Sequence, residues 1–218
     1  MADVSPGPRR PRRPLLTLEA IVAAAAQVLA RHGYAGLTMR AIADELGVRA
    51  PALYWYVPGK EALEVQLYDH LMAGFSVSLT GEDWREQVRQ AARQLHGYMR
   101  GVRDISRLVP HGVSLGPNTL AQLEGGLGIL LSGGLSPRDA AYGFNALFAY
   151  VLNWVEAEAA WRERQAAGGP AAAAPVFDPA DYPSLAIAGP PFFADDPDGR
   201  FEFGLDVMIA GLQTRVGG

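Results

Sequence analysis

Cysteine is absent from the 218-residue chain, and only four histidines are present. The lack of thiols excludes disulfide bonds, thiolate zinc sites and a cysteine nucleophile, and four histidines leave little material for a metal centre. We therefore expect neither a metal nor another cofactor. Because no nucleophile–base pair or phosphate-binding loop is recognisable, we do not expect an enzyme.

Long hydrophobic runs are also missing. No apolar stretch approaches the roughly 18 residues of a membrane-spanning helix, and the first residues lack the apolar segment of a signal peptide. We expect a cytoplasmic protein with no membrane partner. Hydrophobic residues still make up 49% of the chain, which is enough for a sizeable core.

Acidic residues are scarce at the N-terminal end. Residues 1–60 carry eight basic and four acidic residues, a net charge of +4, whereas the remainder carries 11 basic and 19 acidic residues, a net charge of −8. This asymmetry indicates a polyanionic partner for the N-terminal end. Residues 1–16, with the run PGPRRPRRP, are predicted to form a disordered basic arm that either reaches DNA or only aids solubility.

The most informative stretch is LTMRAIADELGVRAPALYWYVPGK, residues 37–60. A helix at 17–32, ended by Gly33, is predicted to precede it. Within the stretch, Thr38 can cap a short helix at 39–46, after which Gly47 permits a tight turn. The order of helix, tight turn and second helix predicts a helix-turn-helix.

The second helix of this motif is predicted at residues 50–57, with Pro51 in its first turn. Leu53 and Val57 are four residues apart and can be buried together. The three consecutive aromatic residues between them cannot all lie on the same face of so short a helix. At least one of the three should be exposed and should therefore need a partner.

This stretch resembles the DNA-binding domain of the tetracycline-repressor (TetR) family of transcriptional regulators. The matching residues are Gly36, Leu37, Thr38, Arg40, Ile42, Ala43, Leu46, Gly47, Val48, Pro51, Leu53, Tyr54, Trp55, Val57 and Lys60. The resemblance implies an all-α protein, with a three-helix helix-turn-helix head at residues 17–62. It also implies a helical effector-binding and dimerisation body at residues 63–218.

The resemblance further implies which residues hold the DNA backbone. Thr38 and Lys60 match phosphate contacts at or near helix N-termini, and the hydroxyls of Tyr54 and Tyr56 match further backbone contacts. Trp55 completes this part of the expected DNA-binding set. Such contacts give affinity and register but carry no sequence information.

A second group is expected to read base edges. Arg40 matches a family arginine that reaches a guanine, although a surface ion pair with Asp44 is the alternative. Arg49, Ala50 and Pro51 match positions where the recognition helix meets bases and thymine methyl groups. Because positions 49 and 50 differ from the acidic residue and the glutamine of the tetracycline repressor, the operator sequence should differ.

Helical spacing of apolar residues predicts the elements of the body, which are helices at residues 60–78, 83–102, 118–131, 137–166 and 199–216. The four arginines at 85, 89, 93 and 100 are expected to form a solvated helix face. Residues 167–197 are rich in alanine, glycine and proline and are predicted to form a long mobile loop with one short helix at 181–188.

The inner faces of these helices offer eight candidate ligand-binding residues: Ala91, Leu95, Met99, His111, Phe144, Asn145, Phe148 and Trp154. Together they would make an apolar, aromatic pocket suited to a hydrophobic or aromatic small molecule. The alternative is that the aromatic residues are core residues and that His111 is a loop residue without a ligand. The asparagine and phenylalanine drug contacts of the tetracycline repressor fall at Ala91 and Leu95, so we do not expect tetracycline–magnesium binding.

The resemblance therefore implies a ligand-responsive repressor of transcription. The long helix at 137–166 and the last helix are expected to form a four-helix homodimer interface. A two-fold dimer sets two recognition helices roughly 34–36 Å apart, which matches successive major grooves of a palindromic double-stranded operator. A small-molecule effector would favour the state with the wrong spacing. The alternative is a DNA-binding regulator without a small-molecule ligand.

Overall fold

The computed structural model describes residues 16–110, 114–166, 175–194 and 196–217. Every regular element in these ranges is a helix, which confirms the all-α prediction. None of the helices described is long and apolar enough to cross a membrane. The chain divides into two compact units, Met1–Leu67 and Tyr68–Gly218.

The first unit begins with α1, Leu18–Gly36, which Thr17 caps by accepting a hydrogen bond from the amide of Ala20 at 3.2 Å. The backbone at Gly33 has φ 69° and ψ −178°, so glycine is needed there. The predicted end at Gly33 is thus a kink, and a further turn carries α1 to Gly36. Helix α2, Met39–Leu46, has the predicted bounds.

The second helix of the motif differs from the prediction. It is a 3₁₀ helix, Ala50–Trp55, rather than an α-helix over 50–57. Its turns are closed by i→i+3 bonds, such as Ala52 N to Arg49 O at 2.9 Å. Prolines at 51 and 58 remove amide donors and disfavour α-helix before position 58, so only short, tight turns fit between them.

The chain continues through α3, Lys60–Met72, in which the boundary between the two units falls. The remaining elements are α4 (Trp84–Gly101), a 3₁₀ turn (Ile105–Leu108), α5 (Pro117–Ser132), α6 (Pro137–Ala166), α7 (Pro183–Phe193) and α8 (Pro197–Gln213). Helices α4, α5, α6 and α8 pack on one another and form the body.

Helix α3 ends at Met72, earlier than the predicted residue 78, because side chains of α4 form hydrogen bonds with the backbone of the residues that follow. Gln94 binds both the amide and the carbonyl of Ser78, at 2.9 and 2.8 Å. Gln90 binds the same two groups of Thr80, at 2.9 and 3.3 Å. These side chains supply the backbone of the extended segment with the partners that a longer helix would have provided.

The predicted loop at 167–197 contains a longer helix than expected. Helix α7 spans Pro183–Phe193 rather than 181–188, and its last turn includes two prolines. Arg200 of α8 donates to the carbonyls of Phe192 and Ala194, both at 2.5 Å, and so binds acceptors that the helix end leaves open. The first part of the predicted loop, residues 167–174, lies outside the described residues.

The expected solvated arginine face is in part an interface between helices. Arg89 reaches Asp206 of α8 at 2.6 Å, and Arg93 forms a two-pronged pair with Glu202 of α8, both bonds at 2.7 Å. The arginines therefore fasten α4 to α8 with the planar, bidentate geometry that suits a guanidinium.

An ionisable cluster whose buried members are His96 and Glu158 lies between α4, α6 and α8. His96 of α4 approaches Glu158 of α6, with Nε2 and Oε1 3.1 Å apart, and Arg100 approaches the other carboxylate oxygen at 3.2 Å. The His96 ring stacks on Phe201 of α8, with ring centroids 4.5 Å apart. Burial lowers the pKa of His96 below 6.5, and the nearby charge of Glu158 opposes this shift without outweighing it.

Candidate DNA-binding surface and effector cavity

Residues at both ends of α2 fix the bounds of this helix. Thr38 Oγ1 accepts a hydrogen bond from the amide of Ala41 at 3.1 Å, which leaves its hydroxyl proton able to donate outward. Gly47 closes α2 with φ 65°, a conformation that glycine adopts without strain. Ile42 and Leu53 are fully buried and hold the two short helices together.

The other side of the motif is exposed. The Arg40 side chain is 90% exposed, and its Nε lies 3.9 Å from the Asp44 carboxylate, which is itself largely exposed. An ion pair this long and this exposed contributes little to stability. Little free energy is therefore needed to break it when Arg40 binds another acceptor. Trp55 is 90% exposed, and Tyr54 and Tyr56 are also exposed, as the sequence predicted for at least one of the three.

Lys60 is the first residue of α3 and is exposed. Its ammonium group lies 4.3 Å from the centroid of the Tyr34 ring and 3.6 Å from Glu64 Oε1. Arg49 and Pro51 are exposed as well, and Ala50 is half-buried. Apart from that alanine, all the sequence-predicted DNA contacts are thus exposed to solvent.

The basic arm, residues 1–16, lies outside the described residues except for its last position. The described head, residues 16–60, carries four basic and three acidic residues. The positive charge that the sequence showed at this end therefore depends mainly on the arm.

The second unit contains a cavity of about 340 Å³, partly open to solvent. Its lining residues are all uncharged, and most are apolar. They are Tyr68, Met72, Phe75, Val77, Leu79, Val88, Ala91, Ala92, Leu95, Val109, Pro110, Leu115, Thr119, Gln122, Leu123, Gly125, Gly126, Ile129, Leu130, Phe144, Asn145, Leu147, Phe148 and Val151. The volume falls in the range of small-molecule pockets.

Two family models match most of the chain. The model for "Bacterial regulatory proteins, tetR family" matches residues 21–66, and that for the "Tetracyclin repressor-like, C-terminal domain" matches residues 78–216. The chain belongs to the TetR family of transcriptional regulators. The resemblance inferred from residues 37–60 is therefore confirmed.

Several proteins are similar to this TetR-family chain over nearly its whole length. An HTH-type transcriptional regulator of Saccharopolyspora erythraea is 30% identical over 94% of this chain and 88% of its own length. The class A tetracycline repressor from transposon 1721, from Escherichia coli, is 31% identical over 89% of each chain. Apo ActR from Streptomyces coelicolor has a TM-score of 0.82 at 30% identity, covering 94% of this chain and 100% of ActR. Structures of ActR with actinorhodin and with (S)-DNPA are also similar to this chain.

Five of the eight sequence-predicted ligand residues of this TetR-family chain line the cavity: Ala91, Leu95, Phe144, Asn145 and Phe148. His111 lies outside the described residues. Among the described residues, no group of three histidine, aspartate or glutamate side chains could hold a metal ion.

Two of the predicted ligand residues lie elsewhere. Met99 is fully buried in the core, one helical turn beyond Leu95. Trp154 packs on Tyr150 and Phe201, each at a ring-centroid distance of 6.3 Å. Because Trp154 is six residues beyond Phe148 on α6, it points to a different side of that helix.

Sequence reasoning missed three polar residues of the cavity wall. Gln122 donates to the carbonyl of Phe75 at 3.1 Å, and the Thr119 hydroxyl donates to Asp69 at 2.9 Å. Tyr68, on α3, is the third. Isolated polar residues of this kind carry no pattern in the sequence, so only the packing of α3 against α5 reveals them.

Proposed function

We propose that this TetR-family chain is a transcriptional repressor that binds a palindromic operator as a homodimer. A small hydrophobic or aromatic effector releases the repressor from DNA. The observation that supports the effector is the apolar cavity of about 340 Å³ in a chain that also carries an exposed helix-turn-helix. A regulator without a small-molecule ligand would leave this cavity without a role.

The exposed surface of the helix-turn-helix supports operator binding. Thr38, at the start of α2, is exposed and has a hydroxyl that can still donate, and Lys60 presents an ammonium group at the start of α3. Both suit phosphate oxygens near helix N-termini. Arg40 is long, exposed and loosely held, which suits the bidentate contact with guanine that arginine makes in the major groove.

Exposed helix faces in the second unit support a homodimer. Along α8, Phe203 is 73% exposed and Val207 is 56% exposed, one turn apart. Along α6, the exposed residues Tyr142, Ala146 and Ala149 lie on one face. Small residues on one helix allow close approach of another, and exposed large apolar residues gain stability when a second copy covers them.

The proposal is tested first by selecting binding sites from a randomised DNA library. We expect an inverted repeat whose half-site centres lie about one helical turn, roughly 10 base pairs, apart. A gel-shift assay with the selected DNA then screens neutral hydrophobic and aromatic compounds. Sites without two-fold symmetry would contradict dimeric binding, and a broad panel that never releases DNA would contradict the effector.

A further inference from the structure

Tyr68 stands out among the polar residues of the cavity wall. It is 3% exposed and lines the cavity, yet its hydroxyl makes no hydrogen bond with any residue in the described part of the chain. The hydroxyls of two half-buried tyrosines of the body are bound. Tyr98 donates to the carbonyl of Leu71, and Tyr150 donates to the carbonyl of Phe201 at 2.9 Å. The Tyr68 oxygen is not one of the fully enclosed side-chain atoms that lack a partner, so it faces the space of the cavity. The cavity is therefore where a hydrogen-bond partner for Tyr68 would bind.

The Tyr68 hydroxyl is a donor throughout the usual pH range. Burial, with a smaller contribution from nearby Tyr98, raises the pKa of Tyr68 to about 12. The group therefore stays protonated and neutral near pH 7, and it offers its proton to an acceptor atom.

The other polar groups of the wall are engaged or peripheral. Gln122 uses its amide donor on the carbonyl of Phe75, and the Thr119 hydroxyl donates to Asp69. Asn145 is exposed to solvent at the wall. The lining contains no charged side chain, so an ion entering this apolar space would lose its hydration without gaining a counter-charge.

We propose that Tyr68 binds the effector, and that the effector is an uncharged, mainly apolar molecule with a carbonyl oxygen that accepts the Tyr68 hydrogen bond. This inference rests on the proposed role of the cavity as the effector site. It names the chemical class of the ligand and a residue that recognises it. Because Tyr68 lies on α3, the hydrogen bond ties the ligand to the helix that begins at Lys60 in the DNA-binding unit.

The test uses two pairs of neutral tricyclic probes, 9-fluorenone with fluorene and xanthone with xanthene. Members of a pair differ only in a ketone or a methylene group. Equilibrium dialysis measures the affinity of each probe for the wild type, for Tyr68→Phe and for Tyr98→Phe. The last variant is the matched control, since its hydroxyl binds Leu71 and does not line the cavity. Circular dichroism checks that all three proteins are folded.

The deciding quantity is the affinity for the ketone divided by the affinity for its methylene analogue. We expect this ratio to fall about five- to tenfold in Tyr68→Phe, as the loss of one neutral hydrogen bond implies, and to stay unchanged in Tyr98→Phe. An unchanged ratio in Tyr68→Phe would overturn the inference. So would a wild-type protein that binds neither ketone.

A gel-shift assay with the same proteins separates this inference from the proposed function. If the ketones bind through Tyr68 but never release operator DNA, the ligand class stands and the release mechanism fails. If a carbonyl compound releases DNA from the wild type and Tyr68→Phe at the same concentration, the release mechanism stands and the role of Tyr68 fails.

Discussion

Asp69→Ala should destabilise the body strongly, because Asp69 caps a helix to which it does not belong. It is 7% exposed on α3 and accepts three hydrogen bonds from the start of α5. The donors are Asn118 Nδ2 at 2.9 Å, the Thr119 amide at 2.8 Å and the Thr119 hydroxyl at 2.9 Å. The N-cap residue of α5, Gly116, has no side chain for this task, and a Cβ there would overlap the Asp69 carboxyl group.

The size of the effect follows from the donors left behind. Alanine would leave the amide and hydroxyl of Thr119 unpaired, and Thr119 is buried. Each buried, unpaired donor costs about 1–3 kcal/mol. Asn118 is only half-buried and can turn to water. We therefore expect Asp69→Ala to lower the free energy of unfolding by about 3–5 kcal/mol, which is at the high end for one substitution.

Urea unfolding followed by circular dichroism measures this loss for the wild type, Asp69→Ala and Asn118→Ala. The second variant removes only the half-buried donor, so it should cost about 1 kcal/mol or less. A loss below about 1 kcal/mol for Asp69→Ala would refute the capping role. An equal loss of unfolding free energy in the two variants would show that the hydrogen bonds from Thr119 to Asp69 do not carry the effect.

Three further predictions concern DNA, assembly and pH. Arg40→Ala should weaken operator binding by about 1–3 kcal/mol and relax base choice at one position per half-site; an unchanged sequence preference in a binding-site selection would reject base reading. If the proposed homodimer forms through this face, Phe203→Asp should convert it to a monomer, because a charge cannot be buried unpaired in the interface; light scattering that still reports a dimer would exclude this face. Burial lowers the pKa of His96, so the unfolded state binds the proton more tightly and stability should fall as the pH drops below 6.5. Urea unfolding should show a weaker pH dependence for His96→Gln, and equal dependence in both proteins would contradict the role of His96.

Elements whose ends are marked by their own residues could be predicted from the sequence. Helix α2 has the predicted bounds because Thr38 caps its start and Gly47 ends it. Helix α6, Pro137–Ala166, also begins as predicted, with a proline in its first turn. In both cases the signals are local, so no knowledge of tertiary packing is needed.

Other elements depend on distant side chains and could not be predicted. Helix α3 ends early because Gln90 and Gln94, on another helix, hold the segment that follows it. The end of α7 is bound by Arg200 from α8. Propensity and periodicity describe a segment by itself, and they fail where a partner from elsewhere satisfies the backbone.

Some residues of the cavity wall could likewise be predicted from the sequence, and others could not. Ala91 and Leu95 were predictable because they lie one turn apart on the inner face of a clearly amphipathic helix. Tyr68 was not, since its importance comes from a hydroxyl that no neighbour in the described body binds. A missing partner can be recognised only when the neighbours are known.

Under the proposed function, Tyr68 alone would not account for release of the operator. Moving a protein from 1:99 to 99:1 in favour of the non-binding state requires about 10⁴-fold tighter effector binding to that state. One neutral hydrogen bond changes affinity only about five- to tenfold, so apolar contacts with the cavity wall must supply most of the difference. We therefore expect Tyr68→Phe to raise the ketone concentration for half-maximal release about five- to tenfold, while release at saturation falls only from about 99% to about 91–95%. A Tyr68→Phe protein that stays bound to DNA at saturating ketone concentrations would contradict the inference that apolar contacts supply most of the affinity difference.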